Sequence, residues 1–188
     1  MNPDEFLSRA TNADSWFDEA RSLRVAAKAV WDTFLKYTQD SKQNEESLRE
    51  AFYLLRNSQL LYALCAECAL KGLLIKRFPQ DVSISIMVDG KKQVSEATIT
   101  RIGESLTTTH NLARLAEMAD VLPKEAEQTR ELLDYCTHCI KWIGRYPVPL
   151  KHKVGVQKGR KKPPVFFGHT FLELMDGFLD EVFDEFRR

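Results

Sequence analysis

The stretch Ser47-Leu-Arg-Glu-Ala-Phe-Tyr-Leu-Leu-Arg-Asn-Ser-Gln-Leu-Leu-Tyr-Ala-Leu-Cys-Ala-Glu-Cys-Ala-Leu-Lys-Gly-Leu-Leu-Ile-Lys-Arg-Phe78 decides the fold. Apolar residues recur in it at three- and four-residue spacing, through Leu48, Phe52, Leu55, Leu61 or Tyr62, Ala66, Leu70 and Leu73 or Leu74. That is the period of one helix face. Ser47-x-x-Glu50 reads as a capping box at its start, and Pro79 stops it. At about 1.5 Å per residue such a helix exceeds 40 Å. Helices this long in a small domain belong to antiparallel bundles. Glu67 and Lys71 interrupt its apolar run from Leu60 to Ile75, so it reads as a core helix and not as a membrane span.

A partner helix precedes it over Asp14 to Gln39, carrying Trp16, Phe17, Ala20, Leu23, Ala27, Val30, Trp31, Phe34 and Leu35 on one broad face. Ser15-x-x-Asp18 resembles another capping box. After Pro79 the pattern changes. Ser83-Ile-Ser-Ile-Met-Val88 alternates, Asp89-Gly90 is a type I′ turn signal, and Val94, Ala97 and Ile99 follow. Residues 82–100 are therefore expected to form a β-hairpin inserted between helices. Such a hairpin needs support from the bundle or from another chain. Helical patterning resumes over residues 109–121, over 123–143, and over 166–186, where Phe171, Leu174, Phe178, Val182 and Phe186 form an apolar stripe. The expected fold is all-α: an up-and-down bundle of four to five helices with a small β-hairpin insertion. Residues 1–188 read as a single domain.

Composition agrees with a soluble domain, with 44% hydrophobic and 29% charged residues. No secretory signal pattern opens the chain, so a cytoplasmic protein without membrane contact is expected. Cys65-x-x-Cys68 and Cys136-x-x-Cys139 raise the question of zinc. Both pairs lie inside helical patterns rather than in tight turns. They read as packed core thiols, and no metal or cofactor is expected.

Charge is segregated. From Tyr135 to Leu172 there is no Asp or Glu, while there are eight Lys or Arg and three of the four histidines. The chain as a whole is neutral, so everything outside this stretch carries a net charge of −8. A cationic band on a neutral protein suggests an anionic partner, with phosphate the usual candidate. Residues 145–165 form a basic loop rich in proline. Lys151, Lys153, Lys158, Arg160, Lys161 and Lys162 are its candidate phosphate contacts. Tyr146, Phe166 and Phe167 could stack on bases. As a plain alternative, such a run is a solvated loop.

Three signatures stand in order along the chain. Glu67-x-x-x-Lys71-Gly-Leu-Leu lies on the long second helix, Thr109-His110-Asn111-Leu112 opens the third, and Arg145-Tyr146-Pro147 closes the fourth. The ordered set resembles the HEPN family, all-α domains found in prokaryotic defence and toxin–antitoxin systems. The resemblance covers about Asp14 to Phe186, leaving out the hairpin. It implies a bundle that commonly homodimerises. It further implies one of two kinds of activity: metal-independent endoribonuclease action through an Arg-x(4–6)-His motif, or non-catalytic binding of RNA, a nucleotide or a partner such as a nucleotidyltransferase. Arg145 and His152 have six residues between them, inside the motif's window. By that match Arg145 would hold transition-state charge and His152 would be the general acid–base. Tyr146 follows the arginine where the family's nucleases usually carry Asn, Asp or His, and Pro147 and Pro149 exclude a regular helix between the pair.

Tyr146, Glu67 and His110 are the supporting residues of that site. Glu67, set among apolar neighbours, reads either as a surface pair with Lys71 or as an inward carboxylate that orients Arg145 or a ribose. His110 reads as a residue that caps or packs at the start of the third helix, with a catalytic role as the sharper alternative.

Overall fold

The computed structural model describes residues 3–40, 44–90, 94–102, 105–106, 110–122, 126–143 and 168–188. Among them are six α-helices and a small antiparallel sheet, so the bundle with its hairpin insertion is the architecture of this chain.

The two long helices form its spine. Helix α2 (Ala13–Asp40) and helix α3 (Glu45–Arg77) run antiparallel, with Phe17 against Gly72 at one end and the Ser58 hydroxyl donating to the Ala27 carbonyl at 2.9 Å further along. Their caps differ from the sequence expectation. Asn44 caps α3, its side chain accepting from the Ser47 amide at 2.8 Å, so the helix starts before the Ser47–Glu50 box. Asn12 serves α2 in the same way, accepting from the Asp14 amide at 2.9 Å. Asparagine is as good an N-cap as serine, and in both cases it lies three residues upstream of the serine that suggested the cap. Helix α3 passes a length and hydropathy test for a membrane span, yet 78% of its most apolar window is buried inside the bundle.

Helix α1 (Pro3–Thr11) escapes the periodicity reading because it is only nine residues long. It buries Ala10 and is tied to α2 by the Trp16 indole, which donates to the Ala10 carbonyl at 3.1 Å. Helix α4 (Leu112–Met118) lies along the second half of α3, and Arg77 bonds the Ala119 carbonyl at its end. The α4 terminus is a Schellman turn: Val121 donates to the Ala116 carbonyl and Asp120 to that of Glu117, with Asp120 at φ 51°. Helix α5 (Glu127–His138) returns antiparallel to α4 and continues as a π-helical turn, Cys139–Ile143.

Helix α6 (His169–Arg187) closes the bundle parallel to α3. His169 lies edge-on to Trp31, Phe171 packs edge-on to Tyr62, and Phe186 stacks on Phe17. Arg24 of α2 holds it, with Nη2 2.7 Å from Asp176 and Nη1 2.6 Å from Asp180. Burial by itself would lower this guanidinium's hold on its proton. The hydrogen bonds with Asp180 and Asp176 outweigh it, and the group sits above its ordinary value.

The hairpin pairs β1 (Ser83–Val88) with β2 (Val94–Ile102), and β3 (Ser105–Leu106) pairs antiparallel with the end of β2. Register pairs Val88 with Val94, which leaves five residues in the connection instead of the two of a type I′ turn. Gly90 is not at positive φ, as that turn would require. Ile102 is buried and Ile99 packs on the core, so β2 anchors the sheet. Strand β1 is an outer strand with Ile86, Met87 and Val88 exposed.

Candidate functional site

Glu67 lies in mid-α3, where the helix is wrapped on most sides and only 6% of the residue is exposed. A buried carboxylate needs compensating charge and hydrogen bonds. Two partners supply them. Lys71, one turn on, brings its ammonium to 2.5 Å from Oε1. His110 brings Nδ1 to 3.0 Å from Oε1 and 3.2 Å from Oε2. The i,i+4 pair with Lys71 exists, buried rather than at the surface, while Arg145, which the inward reading would orient, lies outside the described residues.

The next two residues hold His110 in place. Asn111 caps α4, accepting from the Arg114 amide at 3.1 Å, and the Leu112 amide donates to Thr137 Oγ1 of α5 at 3.0 Å. The cap role left open for His110 therefore belongs to Asn111. The histidine is set one residue ahead of the cap and turned onto α3. A carboxylate only accepts, so Nδ1 carries the proton in this contact, and a neutral imidazole then leaves Nε2 as an acceptor. The His110 side chain is 34% exposed, against 8% for Glu67. Nε2 makes no hydrogen bond among the described residues.

The other described histidines differ. His138 is half-buried, and its proton affinity is lowered first by burial and then by Lys141. His169 lies at the exposed start of α6 against Trp31. Among the described residues only His110 is paired with a carboxylate.

Arg145, Tyr146, His152, Lys151, Lys153, Lys158, Arg160, Lys161 and Lys162 lie outside the described residues. The two ends from which that stretch departs are described. Tyr135 of α5 and Phe171 of α6 pack edge-to-face, with centroids 6.1 Å apart, and the Tyr135 hydroxyl donates to Gln59 of α3 at 2.8 Å. Ile143 and Gly168 thus belong to neighbouring helix ends on one side of the bundle. At about 1.5 Å per residue, Ile143 is roughly 9 Å along the axis from Thr137, the residue that anchors the start of α4. The π-helical turn occupies that last interval, and such widened turns are frequent at functional sites.

At the same end α2 and α3 continue past the bundle as a two-helix arm. Tyr37, Leu48, Phe52 and Tyr53 are exposed along it. Elsewhere a crevice of about 250 Å³, lined by Phe6, Arg9, Trp16, Glu19, Cys68 and Ile99 among others, opens between α1 and the sheet. Its walls are mostly apolar.

The four cysteines are free thiols, and no group of three or more His, Cys, Asp or Glu able to hold a metal occurs among the described residues. Burial pushes Cys65 and Cys139 up to about 12 and Cys68 to about 11, and holds Cys136 well above the ordinary thiol range. Burial of this kind disfavours the thiolate, the form that attacks as a nucleophile.

The Glu67–His110 pairing was only half legible in the sequence. Glu67 stood out as a charge in an apolar run, but nothing in sequence spacing brings residue 110 to it across 43 positions. No protein-family model, curated protein or solved structure matches this chain.

Proposed function

We propose that this chain is a HEPN-like RNA-targeting protein of the cytoplasm that works as a homodimer and acts as a metal-independent endoribonuclease. The observation that carries the reading is the convergence of α5 and α6 at Tyr135 and Phe171. The stretch with eight Lys or Arg and no Asp or Glu begins and ends beside that contact. Its positive charge is therefore tethered to one end of a bundle whose remaining sequence is net negative. Such an arrangement draws a polyanion to one end rather than spreading it over the surface.

Two further features support it. The order of Glu67 to Lys71, His110 to Leu112 and Arg145 to Pro147 carries the family resemblance, and the first two of these signatures meet in space through the Glu67–His110 contact. The exposed aromatic and aliphatic side chains of the α2–α3 arm offer a face for a second copy.

The test is RNA affinity as a function of salt. For single-stranded RNA, log K falls with log salt with a slope of about −0.7 per neutralised phosphate. Replacing Lys158, Arg160, Lys161 and Lys162 together by alanine is expected to flatten the slope by about 3. A slope unchanged in that variant, or no RNA binding by the wild type at low salt, rejects the reading.

A further inference from the structure

We infer that His110 is the proton-transfer residue of this protein's RNA-cleaving site, with Glu67 as the positioning residue that fixes its tautomer. The inference rests on the RNA-targeting reading and goes beyond it by assigning chemistry to a residue outside the Arg145–His152 motif.

The argument starts from the two ring nitrogens. Nδ1 is committed to a carboxylate whose side chain is only 8% exposed and whose Oε1 is also held by the Lys71 ammonium at 2.5 Å. The imidazole is thereby locked in one orientation and one tautomer. Nε2 is left without a hydrogen bond among the described residues, on a side chain that is 34% exposed. A carboxylate-oriented imidazole with its far nitrogen free is the arrangement that general-base catalysis needs. Neither His138 nor His169 has a carboxylate partner among the described residues. Location agrees. Thr137, which ties the start of α4 to α5, lies inside the Tyr135–Leu172 stretch that carries no Asp or Glu.

The step balances without a metal. Nε2 accepts the proton of a ribose 2′-hydroxyl while O2′ forms its bond to phosphorus. The bond from phosphorus to O5′ breaks, its electron pair leaves with O5′, and O5′ takes a proton from solvent. The products are a 2′,3′-cyclic phosphate and a 5′-hydroxyl end, and nothing is oxidised or reduced.

The experiment uses the full chain, a structured RNA and EDTA, with circular dichroism to confirm folding. His110→Asn and His110→Gly are expected to lower the cleavage rate by about 10²- to 10⁴-fold while RNA affinity stays within about twofold. Added imidazole is expected to restore part of the rate in His110→Gly, which loss of a merely structural group would not allow. Glu67→Gln is expected to lower kcat with little change in KM. Wild-type cleavage rates in His110→Asn, or no rescue by imidazole in folded His110→Gly, overturn the assignment and leave RNA targeting standing. A wild type that binds RNA without cutting it also overturns the assignment. A wild type that neither binds nor cuts removes both readings.

Discussion

A methyl group added to Gly72 would lie 2.7 Å from Cδ2 and 2.9 Å from Cε2 of Phe17. The two long helices approach this closely because α3 presents no side chain there. The Phe17 ring cannot retreat, since Phe186 stacks on it and Phe183 meets its edge. Gly72→Ala would gain up to about 1 kcal/mol of helix propensity. Overpacking of this kind costs about 1–3 kcal/mol. The expected outcome is net destabilisation of about 1–2 kcal/mol, read from the urea midpoint at unchanged m-value. A midpoint at or above wild type would show that α2 and α3 have room the structure does not.

Breaking the buried ion pair should be worse than deleting it. Lys71→Met leaves the Glu67 carboxylate facing only His110, and a loss of about 3 kcal/mol is expected. The double substitution Glu67→Leu with Lys71→Met removes both charges and should recover most of that loss. Equilibrium unfolding of the three proteins tests this. A double variant no more stable than Lys71→Met would mean that the apolar replacements do not pack.

The thiols should be nearly inert in the folded chain. Protonation at neutral pH and burial both oppose attack on Cys65, Cys136 and Cys139. Cys68 is partly exposed beside the α1 crevice and should be the first to react with an aromatic disulfide reagent. All four should become reactive on unfolding. Rapid labelling of two or more thiols in the native protein would contradict the packing described.

Acid should weaken the fold through His138. Its folded-state proton affinity lies below the ordinary value of 6.5, because burial and then Lys141 disfavour the charged ring. The unfolded chain then binds the proton more readily. Stability is full above about 6.5 and is lost as pH falls through that value toward the folded-state one. Replacing His138 by Gln should reduce the slope of stability against pH just below about 6.5. An unchanged slope would place the acid sensitivity on other groups.

Much of the fold was legible because it is periodic. The apolar spacing of Phe17, Ala27 and Trp31 and of Leu55, Tyr62 and Leu70 marks two helix faces, and all six residues are buried. Pro79 and the alternation from Ser83 to Val88 marked the hairpin in the same local way. The misreadings fell at element ends. Asn44 and Asn12 took the caps that Ser47 and Ser15 suggested, because several polar residues near a helix start can serve the same amides and sequence does not rank them. The five-residue connection of the hairpin replaced the Asp89–Gly90 turn because register follows pairing and core contact as well as turn preference.

By itself, then, the sequence determined the helical class, the hairpin insertion and the separation of positive charge into one stretch, since each follows from short-range periodicity or from composition. Only the tertiary structure decided that Glu67 is buried against both Lys71 and His110, and that Tyr135 meets Phe171 at the base of the cationic stretch. The Glu67–His110 and Tyr135–Phe171 contacts join positions 43 and 36 residues apart in the chain. They exist because α3 packs against α4, and α5 against α6, and spacing along one helix carries no record of which neighbour its face will meet.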